Sequence, residues 1–419
     1  MVIMTKKHPN HILKMSALAI AISNALFIAP VDAATITVDS VDCTLIEAIV
    51  SANEDDNAGA PGCVSGSGAD TIELTADVEL NAVHSDGSGL PLIDSTVTIN
   101  GNDHSISPVG VASFRIMNIG DGAYVQLNDL TISNGYTDAY GGGIQVLDSS
   151  LSLNNTEILS SRGYYGGGIY CSESDLDIEQ SRIFNNYSAV YGYGGGIFAE
   201  ACNVDITDSL VSSNYADSGG GIYLSPYSSL SVTGSTFYGN ESNKSGGAIK
   251  TLSAIVDVSS STFSNNIGAK TSSVLVDNTP EVYSGGAIYI AGPYGSTVSI
   301  SNSTFSDNVS FGYGGAISVL NVTSTAITSS RFLYNASGGN GAAAYVYNGG
   351  DTSISKSSFN HSTGNLTVGA LYLATDSGED ISLSSVTIAN NYSADIAGGA
   401  YFKGFDTVTI ANSTISSNS

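Results

Sequence analysis

The residues of this 419-residue chain best placed by type and spacing to do chemistry are Asp177, Glu179, Asp205 and Asp208, with Arg182 close by in sequence. Paired carboxylates with a cation are what acid/base cleavage of a polysaccharide needs. One carboxyl protonates or abstracts, and the other activates water or carries charge. The chain, however, sets 38 Asp and Glu against 12 Lys and Arg, for a net charge of −26, and an acidic face held in water explains the cluster more simply. Asp177 and Asp205 hold the same outward place in successive units of the repeat described below, so their carboxylates could approach closely enough to share a cation, but the sequence does not tell whether calcium binds there. His84, His104 and His361 fall in unrelated positions, no Ser/His/Asp arrangement is legible, and no Gly-Gly-x-Gly-x-Asp calcium nonapeptide occurs. The sequence therefore assigns no catalytic, cofactor or metal residue and leans away from an enzyme. A polysaccharide lyase or glycoside hydrolase is the second reading.

Positioning elements follow from the composition. Charged residues are 12% of the chain and hydrophobic ones 42%, with 48 glycines, 23 tyrosines and no tryptophan. Such a chain can bury a large core and is neither collagen-like nor disordered. The scarcity of cations excludes nucleic acid as a partner, because phosphate binding needs clustered Lys and Arg. Residues 1–34 read as a secretory signal peptide. Lys6, Lys7, His8, His11 and Lys14 form a basic leader, Met15 to Ala29 is a short apolar run, and Val31-Asp32-Ala33-Ala34 offers small-residue cleavage sites. No later stretch is apolar enough for a transmembrane helix, so secretion or cell-surface display is expected.

From Val125 onward the chain repeats. Leu130, Thr156, Ser181, Ser209, Ser235, Ser261, Ser303, Ser330, Ser357, Val386 and Ser413 open successive units, at intervals of 25 to 29 residues except for one of 42. Two residues later every unit is apolar, with Phe237, Phe263, Phe305, Phe332 and Phe359 in five consecutive units. Apolar residues three and five places before the origin give a period-2 strand, as in Leu176-Asp177-Ile178. A second strand follows glycines, as in Gly142-Gly143-Ile144 and Gly167-Gly168-Ile169. Apolar columns separated by corners, one unit per coil, predict an all-β, right-handed parallel β-helix whose strands pair with the same strand of the next coil. Five residues after the origin, Asn fills eight of eleven slots, from Asn186 to Asn418. An Asn at such a corner tolerates the left-handed conformation and can hydrogen-bond either backbone or the Asn of the coil above, which is a packing role.

Two sets of motifs resemble known families. Gly246-Gly247-Ala248-Ile249, Gly285-Gly286-Ala287-Ile288 and Gly314-Gly315-Ala316-Ile317, with Phe237-x-x-Asn240, Phe263-x-x-Asn266, Phe305-x-x-Asn308 and Phe332-x-x-Asn335, resemble the GGA(I/L/V) and FxxN motifs of chlamydial polymorphic outer membrane proteins. Cys43-Thr44-Leu45-Ile46-Glu47-Ala48-Ile49, Ala52-Asn53, Cys63, Asp70-Thr71-Ile72-x-Leu74 and Leu90-Pro91-x-Ile93 look like the CSLREA domain of exported bacterial proteins, although Thr44 and Ile46 depart from that name. The resemblance covers nearly the whole mature chain. It implies a pectin-lyase-like solenoid, export, surface or outer-membrane display and adhesion, with a surface glycan or protein as receptor. The resulting division is 1–34 signal peptide, 35–124 CSLREA-like cap and first coils, and 125–419 β-helix repeats. The repeats are expected to continue past residue 419, where a C-terminal anchor or barrel would lie.

The CSLREA-like segment can also be read from its residues. Leu45, Ala48, Ile49 and Ala52 stand at helical spacing behind Ser40 or Asp42 as N-cap, which predicts a short amphipathic helix covering the first coil. Cys43 and Cys63 flank it and, in an oxidising compartment and without nearby His, are expected to form a disulfide. Cys171 falls in an inward slot and Cys202 in the opposite parity near a corner, so these two are expected not to pair. The interval of 42 places a long loop at Ile267 to Ser284, expected to be a tolerated insertion.

Overall fold

The computed structural model describes residues 33–39, 41–110, 114–270, 284–292, 295–366 and 368–419. The leader up to residue 32, the candidate N-cap Ser40 and residues 271–283 of the long loop lie outside the described residues.

Short strands joined by tight corners dominate the chain because inward positions alternate with Ser, Thr, Asn and Asp and every unit carries residues that accept positive φ. One coil shows the pattern: Asp175–Glu179 lies in a first sheet, Arg182–Phe184 in a second, Tyr187–Tyr193 in a third and Ile197–Glu200 in a fourth. Asn203–Thr207 then re-enters the first sheet beside its counterpart. The four sheets contain 14, 13, 9 and 12 strands, and in each the neighbours are equivalent strands of successive coils. The paired strands are parallel; in the first sheet side chains stack in register, so Leu176 faces Val204 and Ile178 faces Ile206, whereas the third sheet carries register shifts beside Tyr187–Tyr193. Stacked positions of one column therefore lie about 4.8 Å apart.

The corners are made by left-handed residues. Gln180, Asp208, Ser260 and Ser329 turn the first sheet into the second, and Asn185, Ser213, Asn265 and Asp307 turn the second into the third. The ladder asparagines follow these residues and are not themselves left-handed, contrary to the expectation from sequence. One residue earlier the backbone has already turned, which frees the Asn side chain to point inward. Glycine is required ahead of the fourth sheet: at Gly166 φ is +66° and a Cβ would come within 2.1 Å of the Ile169 carbonyl oxygen.

The interior is a set of columns. Phe237, Phe263, Phe305, Phe332 and Phe359 are fully buried, with ring centroids 4.7 to 4.8 Å apart and near-parallel planes. Beside them runs the asparagine ladder. The Asn214 amide nitrogen donates to Asn240 Oδ1 at 3.0 Å and to the Ile183 carbonyl at 2.8 Å, while its backbone N–H donates to Asn240 Oδ1 at 3.1 Å. Asn186, Asn240, Asn266 and Asn308 repeat the arrangement, so the buried amides of this ladder are hydrogen-bonded from coil to coil. A serine ladder at the unit origin does the same with hydroxyls: Ser181, Ser209 and Ser235 each donate N–H to the next Oγ.

The N-terminal coil is closed by the helix Leu45–Glu54, which buries Leu45, Ala48, Ile49 and Ala52. Its N-cap is Thr44, and neither candidate read from sequence serves: Thr44 Oγ1 accepts from the Glu47 N–H, while the Glu47 carboxylate accepts from the Thr44 N–H at 2.8 Å. Asp42 instead follows Asp39, whose carboxylate collects the N–H groups of Val41, Asp42 and Cys43.

Candidate binding faces

The outward column of the first sheet carries the carboxylates singled out from sequence. Asp177 and Asp205 are direct partners in successive coils, both exposed at the surface. Partial burial, then the charge of Asp205 and then that of Asp175, raise the Asp177 carboxyl above the ordinary carboxylate range. Asp175 accepts a hydrogen bond from Asn203 Nδ2 at 2.9 Å. Asp208 sits in a left-handed corner (φ 47°), and Glu179 pairs across with Thr207.

Arg182 does not join this group. It lies past the corner on the second sheet, reaches back one coil to Glu157 at 2.5 Å, and lies over the Phe184 ring at 4.6 Å. Among the described residues, therefore, no ion pair reaches Asp177 or Asp205. Among the described residues no group of three or more His, Cys, Asp or Glu is arranged to hold a metal ion. The histidines are dispersed: His104 Nδ1 lies 3.6 Å from Asp77 Oδ1 near the N-terminal end, whereas His361 packs on the Tyr334 ring at 4.9 Å, far along the repeat.

The cysteines form two disulfides. Cys43 is bonded to Cys63 across the helix and its following loop. Cys171 is bonded to Cys202, which corrects the expectation that they stay apart. A strand running through residue 202 would keep the two apart, but the strand Ile197–Glu200 ends first and Ala201 takes φ 53°. That left-handed residue turns Cys202 inward, where it is fully buried and reaches the previous coil. The bond ties a fourth-sheet strand of one coil to the corner that follows the fourth sheet in the next.

An aromatic ladder on the outside of the fourth sheet is a feature that the sequence reading missed. Tyr170, Phe198 and Tyr223 occupy successive outward positions, with centroids 5.5 and 5.2 Å apart and planes within 5°. Tyr165 and Tyr193 from the third-sheet ridge cover them. Lys250 takes the next position, its ammonium 5.6 Å from both Tyr223 and Tyr289. Tyr345, Tyr372 and Tyr401 continue the column. The available signal was the aromatic residue immediately after the glycine-strand Ile. Burial raises the Tyr170 and Tyr223 phenols, that of Tyr170 also through its hydrogen bond to Glu200 at 2.8 Å. Because each ring stacks on its neighbours, most ring faces are already occupied and the ladder works as packing. Tyr191 and Tyr227 differ: they are 67% and 88% exposed and hold φ of 66° and 70°, a conformation that costs a bulky residue free energy.

Comparison with curated proteins and with solved structures finds no match. Residues 63–237 match the family described as right handed beta helix region. With parallel pairing of equivalent strands through every coil, the chain is a right-handed parallel β-helix carrying one short helix near its N-terminus.

Proposed function

We propose that this chain is exported and serves, at the cell surface or after secretion, as a binding platform without catalysis. The observation that carries the reading is that all four cysteines are paired, one pair at the cap and one between coils, as suits a protein that folds in an oxidising compartment. The basic, then apolar leader of residues 1–34 supports the same route, as do the CSLREA-like segment and the repeats that resemble polymorphic outer membrane proteins. Long, regular sheet faces suit extended contact with a glycan or protein receptor. Tyr191 and Tyr227 are its best-placed anchors, because their exposure brings no packing gain to offset their backbone cost.

The test is binding of the purified mature chain to immobilised glycans and to cells, with turnover of the same polysaccharides measured in parallel. Saturable binding without turnover, weakened by Tyr191→Gly or Tyr227→Gly while thermal stability is kept, is the expected result. A second reading, a polysaccharide-active enzyme, is favoured by the juxtaposition of Asp177 and Asp205. Turnover that disappears in Asp205→Asn would establish it and overturn the first.

A further inference from the structure

The two ends of the cap helix treat the sheets beneath them differently. At its C-terminal end Asn53 closes the edge of the fourth sheet, with Nδ2 donating to the Leu92 carbonyl at 2.7 Å and Oδ1 accepting from Ser95 Oγ at 3.0 Å. At its N-terminal end the helix stands back from the second sheet, whose first strand is Val78–Leu80. Among the described residues that strand pairs on one side only, with Ser105–Pro108, and the Val109 N–H donates to the Leu80 carbonyl at 2.9 Å. Backbone direction alternates along a strand. Val78 and Leu80 turn toward that neighbour, so the N–H and C=O of Glu79 face the other way. No backbone bond from another described residue meets them. They open onto a groove of about 550 Å³ whose walls include Leu45, Ile46, Val78 and Val83 and whose charged side chains are Asp77 and Glu79. Val83 is 49% exposed beside it.

We infer that this groove is a strand-addition site for an extended, cationic peptide segment, which would take the place of the strand the second sheet lacks in the first coil. The free backbone groups of Glu79 supply the hydrogen bonds, the apolar wall receives alternate side chains, and Asp77 and Glu79 select positive flanking residues. Among the described residues no Lys or Arg lines the groove, and His84 is its one further titratable side chain. This inference does not depend on the receptor proposed above, because the site lies on the cap and involves neither tyrosine anchor.

The probe is a short fluorescein-labelled peptide of alternating lysine and valine, titrated into the full chain and followed by anisotropy. Saturable binding is expected, lost when alternate residues of the peptide are N-methylated and when its lysines are exchanged for glutamates. Glu79→Pro, compared with Glu79→Ala so that loss of the carboxylate is common to both, removes the N–H that faces the groove while leaving the bonds to Ser105–Pro108, and should bind about tenfold more weakly than Glu79→Ala, one hydrogen bond's worth. Absence of saturable binding, or equal affinity for the N-methylated or the glutamate peptide, overturns the inference. Affinity in a Glu79→Pro chain equal to that of Glu79→Ala, with an unchanged circular dichroism spectrum, does so too.

Discussion

At the scale of single residues, the repeat makes each departure from a column informative. Thr251 stands in the inward column between Leu224 and Ile290, fully buried, and its hydroxyl finds no partner among the described residues. A buried hydroxyl without a partner costs more than the methyl that would replace it. Thr251→Val should therefore stabilise the chain by about 1 kcal/mol, read as a rise in thermal midpoint; an unchanged or lower midpoint would show that the hydroxyl is satisfied in solution. Asp177 offers a pH-dependent case. Its folded-state carboxyl is raised above its unfolded value, so the folded chain binds this proton more tightly and loses stability as pH rises through the raised range. Asp177→Asn should thus raise the thermal midpoint at pH ~7 and give no gain near pH ~3, where the carboxyl is protonated in both states. An equal gain at both pH values would assign the effect to something other than charge. Residue-scale reading from sequence failed at Cys202 for a local reason: the sign of one φ, at Ala201, reverses side-chain direction, and Ala does not advertise it.

At the scale of elements, the columns were legible because a solenoid repeats its errors as well as its rules. Eleven copies of the apolar slot fix strand parity far better than any single strand could, and the phenylalanine stack follows from five identical positions. Phe305→Ala should cost about 3 to 5 kcal/mol, and denaturant unfolding followed by tyrosine fluorescence measures it; a cost under about 1 kcal/mol would mean the stack is loosely packed. The asparagine ladder has one gap. Ser362 occupies the slot between Asn335 and Asn391, its N–H donates to Asn391 Oδ1 at 2.8 Å, and its buried hydroxyl has no partner among the described residues. Ser362→Asn should rejoin the two halves and raise the thermal midpoint, whereas a lowered midpoint would show that the slot is too tight there. The aromatic ladder was harder to see. It lies on outward positions, where polar residues are the ordinary expectation, and only its recurrence after the glycine strand distinguishes it. The N-cap was legible in Thr44-x-x-Glu47, a capping box whose signature stands in the sequence one residue beyond Cys43.

At the scale of the whole molecule, each coil depends on its neighbours, and two disulfides tie the cap and a pair of middle coils. The Cys171–Cys202 bond closes 31 residues of chain between adjacent coils, and loop-closure entropy alone gives such a bond about 3 to 4 kcal/mol. Breaking it should loosen the middle of the solenoid, where no cap protects the strands. The acidic pair illustrates the limit of sequence for function: adjacency of Asp177 and Asp205 was readable from the repeat, but the commitment of Arg182 to Glu157 depends on the direction of the second sheet. Export remains the claim on which the functional reading rests. Its most direct test is intact mass and N-terminal sequencing of the protein recovered from its native host, with free thiols trapped at lysis. The account predicts a chain beginning close to Ala34, found at the surface or in the medium, with all four cysteines protected from the trapping reagent. A chain retained inside the cell, with residues 1–34 intact and its thiols labelled, would contradict it.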